Sequence, residues 1–353
     1  MDFYDFMDST PLKRRFCTDY RIPMSVCDNP YFTKRLAAVM ATPFHGEVGD
    51  ALTNYLLMLE DFKDEEEYFN YYYDCKQKII DMLNANEHFQ RFNEQNFPAP
   101  SINIPSGESK LYRSDNDGKR FISIDMAQAN FNALRHYDER IFEIDGDICD
   151  TWEKYSMRVF RYKYLAKSKY IRQVIFGACN PKKQIKYESY LMDSLLADVL
   201  AETPDLRSYI HSRTADEIII NIPKSKPIPV KANFLSHARE LEIPIHEEEF
   251  SLYALDGMDA YMKIPETNGR KSEDGRRLKC VSEQVYHQVL LYYINGHLIK
   301  DDDLVFYYGG KLVRYLTPIA DPFLHLFEHA PHSDDSLTRL ERFEKNMEKL
   351  SVD

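Results

Sequence analysis

The run Phe121-Ile122-Ser123-Ile124-Asp125-Met126-Ala127-Gln128-Ala129-Asn130-Phe131-Asn132-Ala133-Leu134-Arg135-His136 changes its period partway along. Its first four residues are mostly β-branched or aromatic and follow the turn signal Asp115-Asn116-Asp117-Gly118, which predicts a strand. Ala129, Ala133 and Leu134 then recur at helical spacing. Asp125 lies at the junction. A carboxylate at a strand tip is anchored by the sheet yet faces solvent, which suits a metal-binding Asp. A second acidic tip follows in Thr214-Ala215-Asp216-Glu217-Ile218-Ile219-Ile220-Asn221-Ile222-Pro223, where two acids precede a β-branched run. Either tip alone reads as an exposed turn acid. Two of them suggest Mg²⁺ (or Mn²⁺) ions shared between Asp125 and Asp216, since these cations take one or two carboxylates plus substrate phosphates.

With 353 residues the chain is long enough for two or three modest domains. No apolar run approaches about 18 residues, so no membrane partner is expected. The start, Met1-Asp2-Phe3-Tyr4-Asp5, lacks the basic and apolar segments of a signal peptide. The cysteines at 17, 27, 75, 149, 179 and 280 show no CxxC spacing and read as reduced thiols, hence a cytoplasmic chain. A net charge of −12 excludes a protein coated in positive charge for nucleic acid, but not a local basic groove. From Trp152 to Tyr187 the sequence holds Lys154, Arg158, Arg161, Lys163, Lys167, Lys169, Arg172, Lys182, Lys183 and Lys186 against the single acid Glu153. A solvated helix face mixes signs, so this run reads as a phosphate-facing surface.

Residues 1–110 read as a mainly helical region, with helices over 52–62 and 68–83 and an acidic helix start at Asp64-Glu65-Glu66-Glu67. Tyr68, Tyr71, Tyr72 and Tyr73 suit core packing, or base stacking. Phe97-Pro98-Ala99-Pro100 reads as a linker. Residues 111–255 form the central unit: strand, helix, a long basic helical stretch over 150–202 broken at Gly177-Ala178-Cys179-Asn180-Pro181, the Asp216 strand, a helix over 233–241 and a strand over 243–255. Residues 256–353 read as a small α+β extension, with a loop over 267–276, a helix over 281–293, a hairpin around Gly309-Gly310 and a charged helix over 334–350.

The central motifs resemble those of family A DNA polymerases, over roughly residues 101–255. Asp125, Gln128 and His136 match the first motif in order; Asn130 stands where the family has Glu, and Asn132 where it has Arg. Arg172, Phe176 and Gly177 match the second in kind, with Asn180 in place of its last aromatic residue. Ala215-Asp216-Glu217 keeps both acids of the third and loses its His. No proofreading exonuclease is recognisable. The resemblance implies an α+β fold: a palm with an antiparallel sheet, helical fingers, and residues 1–110 in the position of a thumb.

The implied activity is a nucleotidyltransferase that joins a nucleoside triphosphate to a primer 3′-hydroxyl on DNA or RNA by two-metal phosphoryl transfer. Asp125, Asp216 and Glu217 would be catalytic, with Asp125 and Asp216 as the metal ligands. Gln128, Asn130, His136, Lys169, Arg172, Phe176 and Asn180 would contact the nucleotide; Lys182, Lys183 and Lys186 would contact nucleic acid. Independently of the resemblance, Lys169, Arg172 and Phe176 share a helix face that offers two cations and a ring. The plain alternatives are a core ring for Phe176 and a surface cation for Arg172. Asn130 and Asn180 replace the groups that exclude a 2′-hydroxyl in the resembling enzymes, so relaxed sugar discrimination is expected unless a side chain such as Phe131 fills the space. The alternative function is a catalytically degenerate polymerase-like module that binds nucleic acid and recruits a protein partner through residues 256–353. His325-Leu326-Phe327-Glu328-His329 fits H-x-x-E-H, but such a site needs a third metal ligand, for which Glu341 or Glu344 would have to serve, and a chance match is the plainer reading. No P-loop, GxGxxG or G-x-S-x-G occurs.

Overall fold

The computed structural model describes residues 1–20, 22, 24–27, 48–98, 102, 111–222, 230–254, 260–267, 270–271, 277–280, 305–308 and 311–314. The protein is α+β and divides into two compact units, residues 1–71, 253–265 and 269–353, and residues 72–252 with 266–268. The first division therefore falls near residue 71, not near 110.

The first unit holds α1 (Phe3–Asp8), α2 (Thr10–Tyr20), α3 (Met24–Cys27), α4 (Val48–Leu59) and the start of α5 (Glu65–Ala85). Asp2 and Asp5 cap α1 reciprocally, each side chain accepting from the other residue's backbone N–H. Asp64 caps α5 by accepting from Glu67 N at 2.9 Å, as its acidic start predicts. Phe6, Phe16, Tyr55 and Tyr68 are buried, with Phe16 stacked on Tyr55 at 5.7 Å. Burying each ring contributes about 2–3 kcal/mol. Tyr68 and Tyr72 are buried, so only part of the tyrosine cluster remains for surface contacts; Tyr73 is exposed with Lys76 4.8 Å above its ring.

The second unit takes in most of α5 and then α6 (Glu87–Glu94) because their connection is tied to later residues. Asn86 caps α6 and donates to Arg140 O at 3.0 Å; His88 meets Asp138 at 2.7 Å. Next come β1 (Arg120–Met126), α7 (Ala129–Tyr137), β2 (Glu143–Ile144) and β3 (Asp147–Ile148). The helical stretch follows as α8 (Trp152–Ser156), α9 (Lys163–Lys167), α10 (Lys169–Gly177) and α11 (Pro181–Glu202). The break before Pro181 falls as the Gly and Pro residues predict. There Asn180 turns left-handed at φ 53° and Pro181 opens α11 at a position that needs no N–H. β4 (Ile210–Arg213), β5 (Glu217–Asn221), α12 (Val230–Glu240) and β6 (Ile245–Ala254) complete the unit.

Within this unit the sheet order is β4-β5-β1-β6, and each neighbouring pair is antiparallel. Alternation along a strand assigns its two faces. Ile122, Ile124, Ile218 and Ile220 share one face and are all buried. Phe121, Ser123 and Asp125 share the other face with Ile219 and Glu217. Helix α11 contacts both α7 and α12, burying Leu191, Leu195, Leu196 and Val199 at helical spacing.

The first unit also holds β7 (Tyr261–Thr267) over most of its length, β8 (Arg270–Lys271), β9 (Arg277–Lys279), β10 (Val305–Tyr308) and β11 (Lys311–Arg314). β10 and β11 pair antiparallel, as the Gly309-Gly310 signal predicts. The helices expected over 281–293 and 334–350, the loop over 267–276 and the H-x-x-E-H run lie largely or wholly outside the described residues. No helix among the described residues is long and apolar enough to cross a membrane.

Candidate active site at the tips of β1 and β5

The register of β1 on β5 assembles the acids. Asp125 stands directly opposite Glu217, and Met126 N donates to Asp216 O at 2.8 Å. Asp125, Asp216 and Glu217 thus leave neighbouring antiparallel strands at the same end of the sheet. The residue directly across from Asp125 is Glu217. Asp216 belongs to the turn before β5. Ser123, two residues before Asp125 and so on its face, donates to Glu217 Oε1.

The turn is braced from both sides. Thr214 Oγ1 donates to Asp216 Oδ1 and accepts from Glu217 N, each at 3.1 Å. Arg213, at the end of β4, reaches α11: it pairs with Asp193 at 2.7 Å and donates to Ser189 O at 2.9 Å. Both side chains of that pair are nearly buried, so the pair fixes the turn relative to the helix.

A fourth carboxylate approaches from α11. Glu188 is only 3% exposed and accepts from Asn130 Nδ2 at 3.1 Å. Burial, and then the negative charge of Asp216, push its carboxyl up to about 7, against the opposing effect of the Asn130 bond. The sequence did offer a signal: an acid at 188 among the buried positions 184, 187, 191 and 192 of an amphipathic helix.

The expected nucleotide contacts fall into two groups. Gln128 takes φ 47° at the N-cap of α7, Asn130 is committed to Glu188, and Lys169 is exposed at the start of α10. Arg172 is 8% exposed, its Nε has no hydrogen-bond partner among the described residues, and burial holds its guanidinium below its ordinary value. The other residues are corrected. Phe176 is a core ring, 5.2 Å from Trp152 and 6.3 Å from Phe142, and offers no face to a base. The face expected to join it to Lys169 and Arg172 therefore divides: Arg172 and Phe176 turn inward, while Lys169 at the first turn of α10 stays exposed. His136 meets Tyr187 Oη and Leu241 O, each at 2.9 Å. A carbonyl only accepts, so Nε2 carries the proton and neither nitrogen remains for substrate. Asn180 donates to Asn93 Oδ1 at 2.9 Å and serves the helix break. Phe131 packs on Phe142 at 4.3 Å, so it does not fill the space beside Asn130.

The basic run also divides. Lys154 and Arg158 pair with Asp147, while Lys163 and Lys167 pair with Glu153. This half is a mixed-sign surface, because Asp147 lies just upstream of the run. Lys183 bonds Gln95 O and sits 5.9 Å from the Phe97 ring. Lys182 and Lys186 are exposed.

Among the described residues no group of three His, Cys, Asp or Glu side chains is placed to hold a metal ion. A protein-only cage is therefore absent there. Mg²⁺ bound by one or two carboxylates with phosphate oxygens needs none. The chain matches no family model, no curated protein and no solved structure.

Proposed function

We propose that the chain is a nucleotidyltransferase resembling family A DNA polymerases, extending a primer 3′-hydroxyl from a nucleoside triphosphate with Mg²⁺ or Mn²⁺. The observation that carries this reading is the β1–β5 register, which brings Asp125, Asp216 and Glu217 to one end of an antiparallel sheet. Asp125 and Asp216 would hold the metal, which when bound neutralises the phosphates and makes the primer hydroxyl more acidic. Glu217, held by Ser123, adds negative charge beside them. Thr214 and Arg213 keep the turn in place. Arg172 would bring a cation to the phosphates.

The test is Mg²⁺-dependent incorporation of labelled nucleotide on primed DNA and RNA templates. Asp125→Asn and Asp216→Asn should each abolish incorporation while the circular dichroism spectrum is retained. Glu217→Gln should do less. No incorporation by the wild type on any template, or full activity in both Asp variants, rejects the reading.

The second reading is a polymerase-like module without catalysis, binding nucleic acid and a protein partner. The internal use of His136, Phe176 and Asn180 favours it, since these would otherwise face the nucleotide. Oligonucleotide binding without incorporation would select it.

A further inference from the structure

We propose that the exposed ridge of α11 formed by Lys182, Ile185, Lys186 and Tyr190 binds a single nucleic-acid strand, phosphates on the lysines and a base against Tyr190. This deepens the proposed function by naming the partner of that unit, and its chemistry is testable without catalysis.

Helical spacing sets the ridge. Gln184, Tyr187, Glu188 and Leu191 are buried, so 182, 185, 186 and 190 turn outward. Lys182, Lys186 and Tyr190 follow one another at i, i+4, i+8, about 6 Å apart along the axis. Lys182 and Lys186 have no carboxylate partner among the described residues, unlike the lysines paired to Glu153 and Asp147. Tyr190 is 37% exposed and Ile185 50%. In a chain of net charge −12, two adjacent unpaired cations bordering open apolar surface mark a place for a polyanion that also has flat apolar faces. A single strand has both, with phosphates and unpaired bases alternating.

The tyrosine is held in position beforehand. Tyr187 stacks on Tyr190 at 6.0 Å and 18°, and Phe97 lies 6.4 Å from it and 4.5 Å from Tyr187. Lys183 above Phe97 braces that ring in turn. A ring fixed by two neighbours loses little side-chain freedom when a base arrives, so more of the stacking energy appears as affinity. An acidic peptide would use the two cations and leave the ring face unused.

The experiment is fluorescence anisotropy with labelled oligothymidylate and oligouridylate of about 20 nucleotides, in EDTA, over a salt series. Tyr190→Ala should weaken binding roughly 5- to 150-fold, from about 1–3 kcal/mol per stacked base. The double variant Lys182→Ala/Lys186→Ala should flatten the log–log salt slope by about 1.4, near 0.7 for each phosphate contact on a single strand. Tyr190→Trp should keep the affinity and show indole quenching as the oligonucleotide binds. Unchanged affinity in Tyr190→Ala, an unchanged slope in the lysine variant, or polyglutamate binding more tightly than either oligonucleotide would each overturn the proposal. Equal affinity for the two oligonucleotides supports a strand read by stacking and phosphate, and preference for one supports a strand whose sugar or thymine methyl is read as well. Intact oligonucleotide binding with no incorporation overturns the polymerase reading alone; unchanged binding in Tyr190→Ala with normal incorporation overturns the ridge alone.

Discussion

Replacing Glu188 by Gln should stabilise the protein at neutral pH and do little at acidic pH. Burial and the Asp216 charge raise the Glu188 carboxyl from 4.5 to about 7. A raised folded-state value means that the native state binds the proton more tightly than the unfolded chain. The stability from holding that proton is fully present below 4.5 and is lost as pH rises through about 7. At about 1.4 kcal/mol for each tenfold step in proton affinity, the whole difference is about 3 kcal/mol. Glu188 is 3% exposed, so solvent screening discounts this little. Glutamine removes the charge and keeps an oxygen to accept from Asn130 Nδ2. Urea unfolding of both proteins in EDTA, from about pH 5 to pH 8, measures the effect. The variant should gain up to about 3 kcal/mol over wild type towards pH 8, and the gain should shrink as pH falls. A difference independent of pH, or a variant weaker throughout, would refute the assignment of a buried, repelled carboxylate.

Asp138 has the opposite sign. Its bond to Arg140 first, and that to His88 next, lower its carboxyl from 3.8 to about 2, so its contribution is present above 3.8 and lost as pH falls through about 2. Asp138→Asn should therefore raise the pH of acid unfolding, followed by circular dichroism. Arg213→Ala leaves Asp193 buried without its partner and should cost about 3–5 kcal/mol. Arg213→Met with Asp193→Leu should recover much of that stability in urea unfolding, because no lone buried charge remains. Asn130 and Asn180 both bond inside the unit and Phe131 is in the core, so wild type should use NTP and dNTP within a few-fold of each other in competition on one template. Strong exclusion of ribonucleotides would count against this, and Asn130→Glu should narrow the choice towards dNTP.

The sequence alone determined the elements whose cause is local. The strand ending at Asp125 and the helix after it follow from a change of period. The break before Pro181 follows from what Gly and Pro do to a helix, and the Gly309-Gly310 hairpin from turn chemistry. The Asp145-Gly146 turn joining β2 to β3, with φ 50° and 81°, rests on an equally local signal. Tertiary structure decided everything that depends on register and burial. Spacing placed acids at two strand tips, but only the pairing of β1 with β5 sets Glu217, and not Asp216, opposite Asp125. A helix face is visible in sequence, but which face turns inward is not. Phe176 therefore went to the core while Lys169 stayed in water, and Arg172 was buried with its Nε unpaired. Glu188 and the Asp193–Arg213 pair belong to the same class. Their meaning comes from partners many residues away in the chain, which a local pattern does not encode.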